Sequence, residues 1–412
     1  MVITNIAVTK SSKQVILSAD ITFRGKQTQR AYIKVSKAYE DFVYNDASPF
    51  LAAVLLPCMK TRENIYVDGS ISEVLLKNTI DIMTLVKKWN IGMYKIKIRS
   101  KKISKDTKNP KYIGAFFTAG VDSFYTYLKH KDRNDKPSHL ILVHGFDIPL
   151  NNKIFFKEVK NTVEKVAKEE KIKSIIVETN LGEIVEKLLI WDFAHGGALA
   201  AVALFLRANV KQVYIPGAVK NDQLFPYGTH PELDKLWSTR ILTVRSDGGE
   251  YDRIEKVTKV IAKSPLALKY LRVCTQNLKG KYNCSRCYKC LITMIYLSCA
   301  DALKKAYTFD RTLNVELVKK MYYDYKLKYN IQGEMALAML KKQHQNPQLQ
   351  EAIAYSLEKS KNPRLTKRIY QIIALWDQRH NNRRLYQFVF QMNNKGDRNM
   401  LFKLLLNKGI LK

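Results

Sequence analysis

Six consecutive residues, Thr118-Ala119-Gly120-Val121-Asp122-Ser123, lie between an apolar run from Tyr112 to Phe117 and an amphipathic segment that begins near Asp122. A strand that ends in a small, hydroxyl-bearing turn and opens a helix suits an anion. The first amide hydrogens of a helix are unpaired, and its dipole favours negative charge there. Gly120 lets a ligand come close to the backbone, Thr118 and Ser123 add hydroxyls, and Asp122 either holds magnesium on phosphates or caps the helix. No Lys follows a second glycine, so the spacing is not that of a Walker A loop. Ala119 restricts positive φ where glycine would be free. A second cluster follows downstream: Cys274, then Cys284-Ser285-Arg286-Cys287-Tyr288-Lys289-Cys290. Its two overlapping C-x-x-C steps bring three thiolates to one point, and Cys274 closes a tetrahedron, the ligand set of a structural zinc site. An iron–sulfur cluster is the competing reading. Arg272, Lys281, Arg286 and Lys289 offset the negative charge of the thiolates. Cys58 and Cys299 sit among apolar residues and read as small buried hydrophobes.

Three more segments carry chemistry-bearing residues. In His144-Gly145-Phe146-Asp147, Gly145 suits a turn, Phe146 can stack on a base and Asp147 can accept from a ribose hydroxyl; a plain turn reads equally well. His195-Gly196-Gly197 leads into a very apolar helix. There the two glycines are expected to expose amides to an anion, and His195 to donate to a phosphate or act as acid or base. The long polar and aromatic loop from Pro216 to Pro231 offers Lys220, Asn221 and Asp222 to phosphates or a small substrate, with Phe225, Tyr227 and His230 beyond them. Asp234 and Trp237 extend the same rim, and Asp247-Gly248-Gly249-Glu250 closes another strand. Loops with this many special residues seldom serve only as connectors.

The elements that must position these residues fall into three stretches. Residues 1–105 read as a small α+β domain. It has strands at Val15–Phe23, Arg30–Val35, Ile65–Val67 and Met93–Ile98, and helices at Phe50–Met59 and Ser72–Trp89. A basic run (Arg99, Lys101, Lys102, Lys105, Lys108) ending in Asn109-Pro110 reads as a linker. From 111 to 310 strand and helix alternate: strands at Tyr112–Phe117, His139–Val143, Ser174–Val177, Gln212–Ile215 and Ile241–Val244, helices at Asp122–His130, Lys153–Glu169 and Ile184–Arg207. That rhythm implies a doubly wound parallel sheet, an α/β fold whose ligands bind beyond the carboxyl ends of the strands. Residues 311–412 read as helical. The last part is basic (Lys359, Lys361, Arg364, Lys367, Arg368, Arg379, Arg383, Arg384, Arg398, Lys403, Lys408), with Tyr370, Trp376, Tyr386, Phe388 and Phe390 interleaved. It is either a face for RNA or a bundle with solvated charges.

The bulk numbers set the class. At 412 residues with 46% hydrophobic content, the chain is long enough for two or three domains with a real core. Seventy Lys and Arg against 37 Asp and Glu give a net charge of +33, which attracts phosphates on nucleotides or nucleic acid. The longest apolar stretch, Gly196 to Leu206, is too short to span a membrane, and no basic-then-apolar leader follows Met1. A soluble, cytoplasmic protein with no membrane partner is the expectation; an oligomer is compatible with it.

The loop resembles that of the PP-loop ATP pyrophosphatases, which reads Ser-Gly-Gly-x-Asp-Ser. Thr118 keeps the hydroxyl, Ala119 replaces the first glycine, and Gly120, Asp122 and Ser123 match. Loop and cysteine knuckle together, in this order, resemble the 7-cyano-7-deazaguanine synthases (the ExsB-type branch) over residues 111 to 300. Asp222, Phe225 and Pro226 fall where that family's middle motif stands, but Tyr227-Gly228-Thr229-His230 departs from its Asp-Cys-Arg. His144-Gly145-Phe146-Asp147 stands where the family tends to have Asp-Tyr-Gly-Gln. The N-terminal unit and the basic tail are extra. The resemblance therefore implies a HUP-like fold and the ATP chemistry, with a different substrate. ATP and Mg²⁺ would bind at residues 118–123 together with His144, Phe146, His195, Gly196 and Gly197. A carboxylate or amide oxygen of a small molecule would attack the α-phosphorus, with Asp122, Lys220 and Asp222 in catalytic roles and Asn221, Phe225, Tyr227, His230 and Trp237 facing the substrate. A nitrogen nucleophile such as free ammonia, or a sulfur donor, would displace AMP. Cys274, Cys284, Cys287 and Cys290 would hold Zn²⁺. The alternatives are a PP-loop enzyme that modifies RNA and a non-catalytic, basic RNA-binding protein.

Overall fold

Alternating apolar residues build the N-terminal strands. In a computed structural model, which describes residues 1–274, 276, 282–323 and 330–361, β1 (Val2–Lys10), β2 (Gln14–Thr22) and β3 (Gln29–Ser36) form an antiparallel meander. Val15, Leu17, Ala19 and Ile21 of β2 are fully buried, as the period of two requires for a face packed on a core. Helix α1 (Ser48–Thr61) starts with Pro49 in its first turn, where the missing N–H costs nothing, and is buried over almost its whole length. β4 (Ile65–Ser72), α2 (Glu73–Lys88) and β5 (Ile98–Ser104) complete this part.

The strand–helix alternation then begins. In chain order come β6 (Tyr112–Phe116), α3 (Val121–His130), β7 (His139–His144), α4 (Lys153–Glu169), β8 (Lys173–Thr179), α5 (Leu181–Val185), α6 (Trp191–Leu206), β9 (Val210–Pro216), α7 (Pro231–Asp234), β10 (Thr243–Asp247), α8 (Arg253–Lys259) and α9 (Pro265–Tyr270). Helices α10 (Tyr288–Cys299), α11 (Val315–Lys319), α12 (Asn330–Lys342) and α13 (Pro347–Lys361) follow. All ten strands belong to one mixed, mostly parallel sheet in the order β10-β9-β6-β7-β8-β3-β2-β1-β4-β5. Strands β6 to β10 pair only in parallel with one another, and β8 meets β3 antiparallel through Ile33 and Thr179.

Helices cover both faces of the parallel half. Ile141 and Val143 of β7 share one core with α1 and α6, whereas Leu140 and Leu142 share another with α3, α4, α8 and α10. The chain order of the strands reverses between β6 and β9. In an open parallel sheet the crevice outside the carboxyl ends at such a reversal is where ligands bind. The loops after β6 and after β9 both leave the sheet at that point.

Three expectations change. The basic run from Arg99 is not a plain linker: its first part makes up most of β5, the sheet's edge, where exposed Arg99, Lys101 and Lys102 are the kind of residue that blunts an open edge. The single helix expected over Ile184–Arg207 is two helices, α5 and α6, and no Pro or Gly marks the break. The unit at 1–105 does not stand apart, since β3 pairs with β8 and α1 packs on α6 within one core. Of the basic tail, the described residues reach only Lys359 and Lys361. The remaining tail cations and aromatics, and Lys281, lie outside them.

Candidate anion site and metal centre

The residues after β6 form a short turn that runs straight into α3. Gly120 is the N-cap, and no side chain caps the helix, so Asp122 does not serve that purpose. Ala119 takes the left-handed conformation, φ +57°, the one its side chain was expected to resist. That conformation costs about 1–2 kcal/mol for a residue with a Cβ. The turn is held by Arg272, whose amide donates to the Ala119 carbonyl at 2.8 Å, and by the Ser123 hydroxyl, which donates to the Gly120 carbonyl at 3.1 Å. Among the described residues, the Ala119 and Gly120 amides meet no acceptor. A turn with unpaired amides at a helix start has donors to offer an anion, although Ala119 itself is buried.

Opposite the turn stands α8. Asp252 and Glu255 form a capping box at its start: the Asp252 carboxylate accepts from the Glu255 amide at 2.9 Å, and the Glu255 carboxylate accepts from the Asp252 amide at 3.2 Å. The helix so fixed presents Arg253 and Lys256, three apart and hence on one face, to Asp122. Arg253 donates to one carboxylate oxygen at 2.7 Å and Lys256 to the other at 2.9 Å. Lys256 is fully buried, also donates to the Gly217 carbonyl at 2.5 Å, and lies 5.5 Å from the centre of the Tyr125 ring. Burial works to raise the Asp122 carboxyl, but Arg253 and Lys256 outweigh it and hold the group below its usual range. Arg272 and Lys289 lie within electrostatic reach. The Lys289 ammonium is pushed down by burial and by Arg253, against the pull of Asp147 and Asp122. Two cations thus contact Asp122 directly, and Lys289 feels its charge.

The four-cysteine site adjoins the same turn, because Arg272 lies two residues before Cys274. The sulfurs of Cys274, Cys284, Cys287 and Cys290 all lie within 4.8 Å of one another. Those of Cys284 and Cys290 are 3.8 Å apart. A tetrahedron with metal–sulfur bonds of about 2.3 Å has edges of about 3.8 Å, so the set encloses one ion and can hold a metal such as zinc. A cluster of several irons needs its sulfurs further apart. The Cys287 amide donates to the Cys284 sulfur at 3.2 Å. The Cys290 thiol holds Cys287 down at about 5 by hydrogen bonding, while Cys290 itself is raised. Cys58 and Cys299 are buried among apolar residues, and burial pushes the Cys299 thiol up to about 12.

The other sequence-selected residues divide. His195 and Tyr227 meet, their rings 4.7 Å apart; His195 Nδ1 faces the Trp191 carbonyl at 2.8 Å and Nε2 faces the Thr229 hydroxyl at 3.2 Å. Burial lowers the His195 imidazole, favouring the neutral form, and Asp147 lies within its electrostatic reach. Tyr227 is within reach of Arg253, so this histidine and tyrosine border the cationic cluster. Phe225 stands exposed beside Tyr227. Lys220 faces Glu255 at 3.5 Å and the exposed Asp222 at 4.0 Å. The Asn221 amide is tied to the Gly249 carbonyl at 2.7 Å, which zips the long loop to the turn after β10.

Several residues have other work. Gly196 and Gly197 are not at a helix start but one to two turns inside α6. A Cβ on Gly196 would lie 1.7 Å from the Gly228 carbonyl oxygen, and one on Gly197 2.5 Å from that of Ala52. They are close-packing glycines, not amide donors for a nucleotide. His144 is buried, stacked on Phe156 at 3.9 Å, with its nitrogens turned to Glu178 and the Pro149 carbonyl. Phe146 packs on the edge of the core against Trp191. His230 caps α7 by accepting from the Glu232 amide, and Trp237 is wholly inside the core, so neither faces a substrate. Arg253 and Lys256 were not singled out from the sequence, although Asp252-x-x-Glu255 after a Gly-Gly strand end is a legible helix start that puts them on one face. Two cavities of about 470 and 270 Å³, one lined by Tyr270, Tyr282 and Tyr307 and the other by Asp46 and Asp68, lie away from this cluster. No protein-family model matches the chain, and no curated protein or solved structure matches it either.

Proposed function

We propose that this chain is an ATP-dependent, AMP-forming enzyme of the PP-loop type with a doubly wound, HUP-like core, acting on a substrate other than a deazaguanine precursor. The observation that carries the reading is the position of the 118–123 turn: it leaves the sheet where the strand order reverses, with amides that meet no acceptor among the described residues on one side and Arg253 and Lys256 on the other. A triphosphate laid in that turn places its negative charge against fixed positive groups, and phosphoryl chemistry asks for little more than such positioning and charge neutralisation. Tyr227, His195, Asp147 and Phe225 border the cluster and suit the acid or amide whose oxygen attacks the α-phosphorus. An adenylate and pyrophosphate form, and ammonia or a sulfur donor then displaces AMP. Magnesium enters with the nucleotide. Both Asp122 oxygens already carry a cation partner, which would repel a metal ion brought to the same carboxylate. Zinc held by the four cysteines has no open position and would serve to fix Arg272 and, through it, the turn.

ATP–pyrophosphate exchange across a panel of carboxylic acids and amides, each with and without RNA, tests the reading. Exchange that requires one acid or amide and disappears in Arg253→Gln supports it. Exchange that appears only with RNA moves the substrate to RNA, an outcome the net charge of +33 makes worth including. No exchange under any of these conditions sinks the enzyme reading and leaves a basic binding protein.

A further inference from the structure

Asp122 holds the two cations that a diphosphate would need. Resting on the ATP reading above, we propose that Asp122 is the built-in counter-ion of the anion site, and that a diphosphate group binds by taking Arg253 and Lys256 away from it. The carboxylate projects from the first turn of α3, beside the unpaired amides of Ala119 and Gly120, where an external anion would also settle. Each of its oxygens is engaged by one cation. Lys256 is fully buried, and among the described residues its other contacts are the neutral Gly217 carbonyl and Tyr125 ring. A buried ammonium deprived of its anion draws in another strongly. Among the described residues the Arg253 Nε–H is buried and makes no hydrogen bond, so the guanidinium holds a donor that its present partner does not use.

Gly120 adds an independent observation. Its φ is −79°, which any residue adopts. A Cβ built on it would meet the Thr118 hydroxyl at 3.4 Å and the Arg272 carbonyl at 3.6 Å, ordinary contact distances. The chain's own packing therefore does not require glycine here, and the space that a side chain would fill remains beside Asp122. In the proposed exchange a phosphate takes up that space and draws Arg253 and Lys256 to itself. The same carboxylate then screens the site against weak anions, since a ligand must outcompete both of its ion pairs.

Calorimetric titration of the full-length protein with inorganic pyrophosphate, in magnesium-free buffer without chelator so that the cysteine site keeps its metal, decides the matter. Asp122→Asn is expected to bind pyrophosphate about tenfold more tightly than the wild type, or better, because the internal competitor is gone. Arg253→Gln is expected to abolish binding in both backgrounds. Should Asp122→Asn prove unstable, thermal melting replaces titration: pyrophosphate should then raise its melting temperature by more than it raises that of the wild type. Wild-type binding that Asp122→Asn does not tighten, or a smaller thermal gain in the variant, overturns the exchange and leaves the phosphate site standing. Pyrophosphate binding by neither protein overturns both.

Discussion

At the scale of single residues, the account turns on side chains whose charge and burial conflict. Asp234 is the plainest. It is fully buried, neither carboxylate oxygen has a well-formed hydrogen bond, and burial raises its pKa from 3.8 to about 7. The folded chain therefore holds a proton on Asp234 that the unfolded chain has lost, through the window between those two values. Stability from this group is complete below pH 4 and falls as pH rises towards 7, by at most roughly 4 kcal/mol. Urea denaturation at pH 5 and pH 8 should show that Asp234→Asn flattens this dependence and matches or exceeds the wild type at pH 8; an unchanged slope would refute the assignment. The turn and the cysteines were readable in the sequence because each is a short, local pattern. Arg253 and Lys256 were not, because they are 131 and 134 residues from the carboxylate they face. Only the fold brings them there. Gly196-Gly197 misled for a related reason: a glycine that admits a phosphate and one that admits a neighbouring carbonyl look alike until the neighbour is known.

At the scale of elements, the packing of α6 against α1 depends on Gly197. Replacing Gly197 with Ala places a Cβ 2.5 Å from the Ala52 carbonyl oxygen, backbone that cannot turn aside. Separation of the two helices should cost about 1–3 kcal/mol. Chemical denaturation is expected to register that loss. Nucleotide affinity at folding conditions should stay unchanged, whereas a loss of affinity without loss of stability would restore Gly197 to the nucleotide site. The strand–helix rhythm from residue 111 was legible because parallel strands buried on both faces read as short apolar runs between amphipathic helices. Strand β5 was hidden by its charges: an edge strand and a solvated linker share the same composition, and pairing with β4 is what distinguishes them.

At the scale of the whole molecule, the N-terminal strands and the parallel strands form one sheet, and a buried ionic cluster pins them. Arg207, at the end of α6, reaches Asp46 and Asp106, all three buried, and its guanidinium stacks 3.7 Å over the Tyr44 ring. Removing the cation leaves two uncompensated buried carboxylates. Arg207→Ala should destabilise by about 3–5 kcal/mol. Calorimetric scanning is expected to show a single transition for residues 1–105 and the parallel sheet together, shifted down as a unit in the variant. A separate early transition of the N-terminal part would contradict that coupling. Sequence periodicity could not reveal the join, because β3 and β8 meet across 146 residues through hydrogen bonds that leave no local pattern.

The central claim is that the turn after β6, completed by Arg253 and Lys256, binds the phosphates of ATP. Equilibrium binding of MgATP to the full-length protein tests it most directly. Saturable binding that inorganic pyrophosphate displaces, weakened on the order of a hundredfold in Arg253→Gln, is the predicted result. Absence of saturable binding up to millimolar nucleotide, or an Arg253→Gln variant that binds as tightly as the wild type, would contradict it.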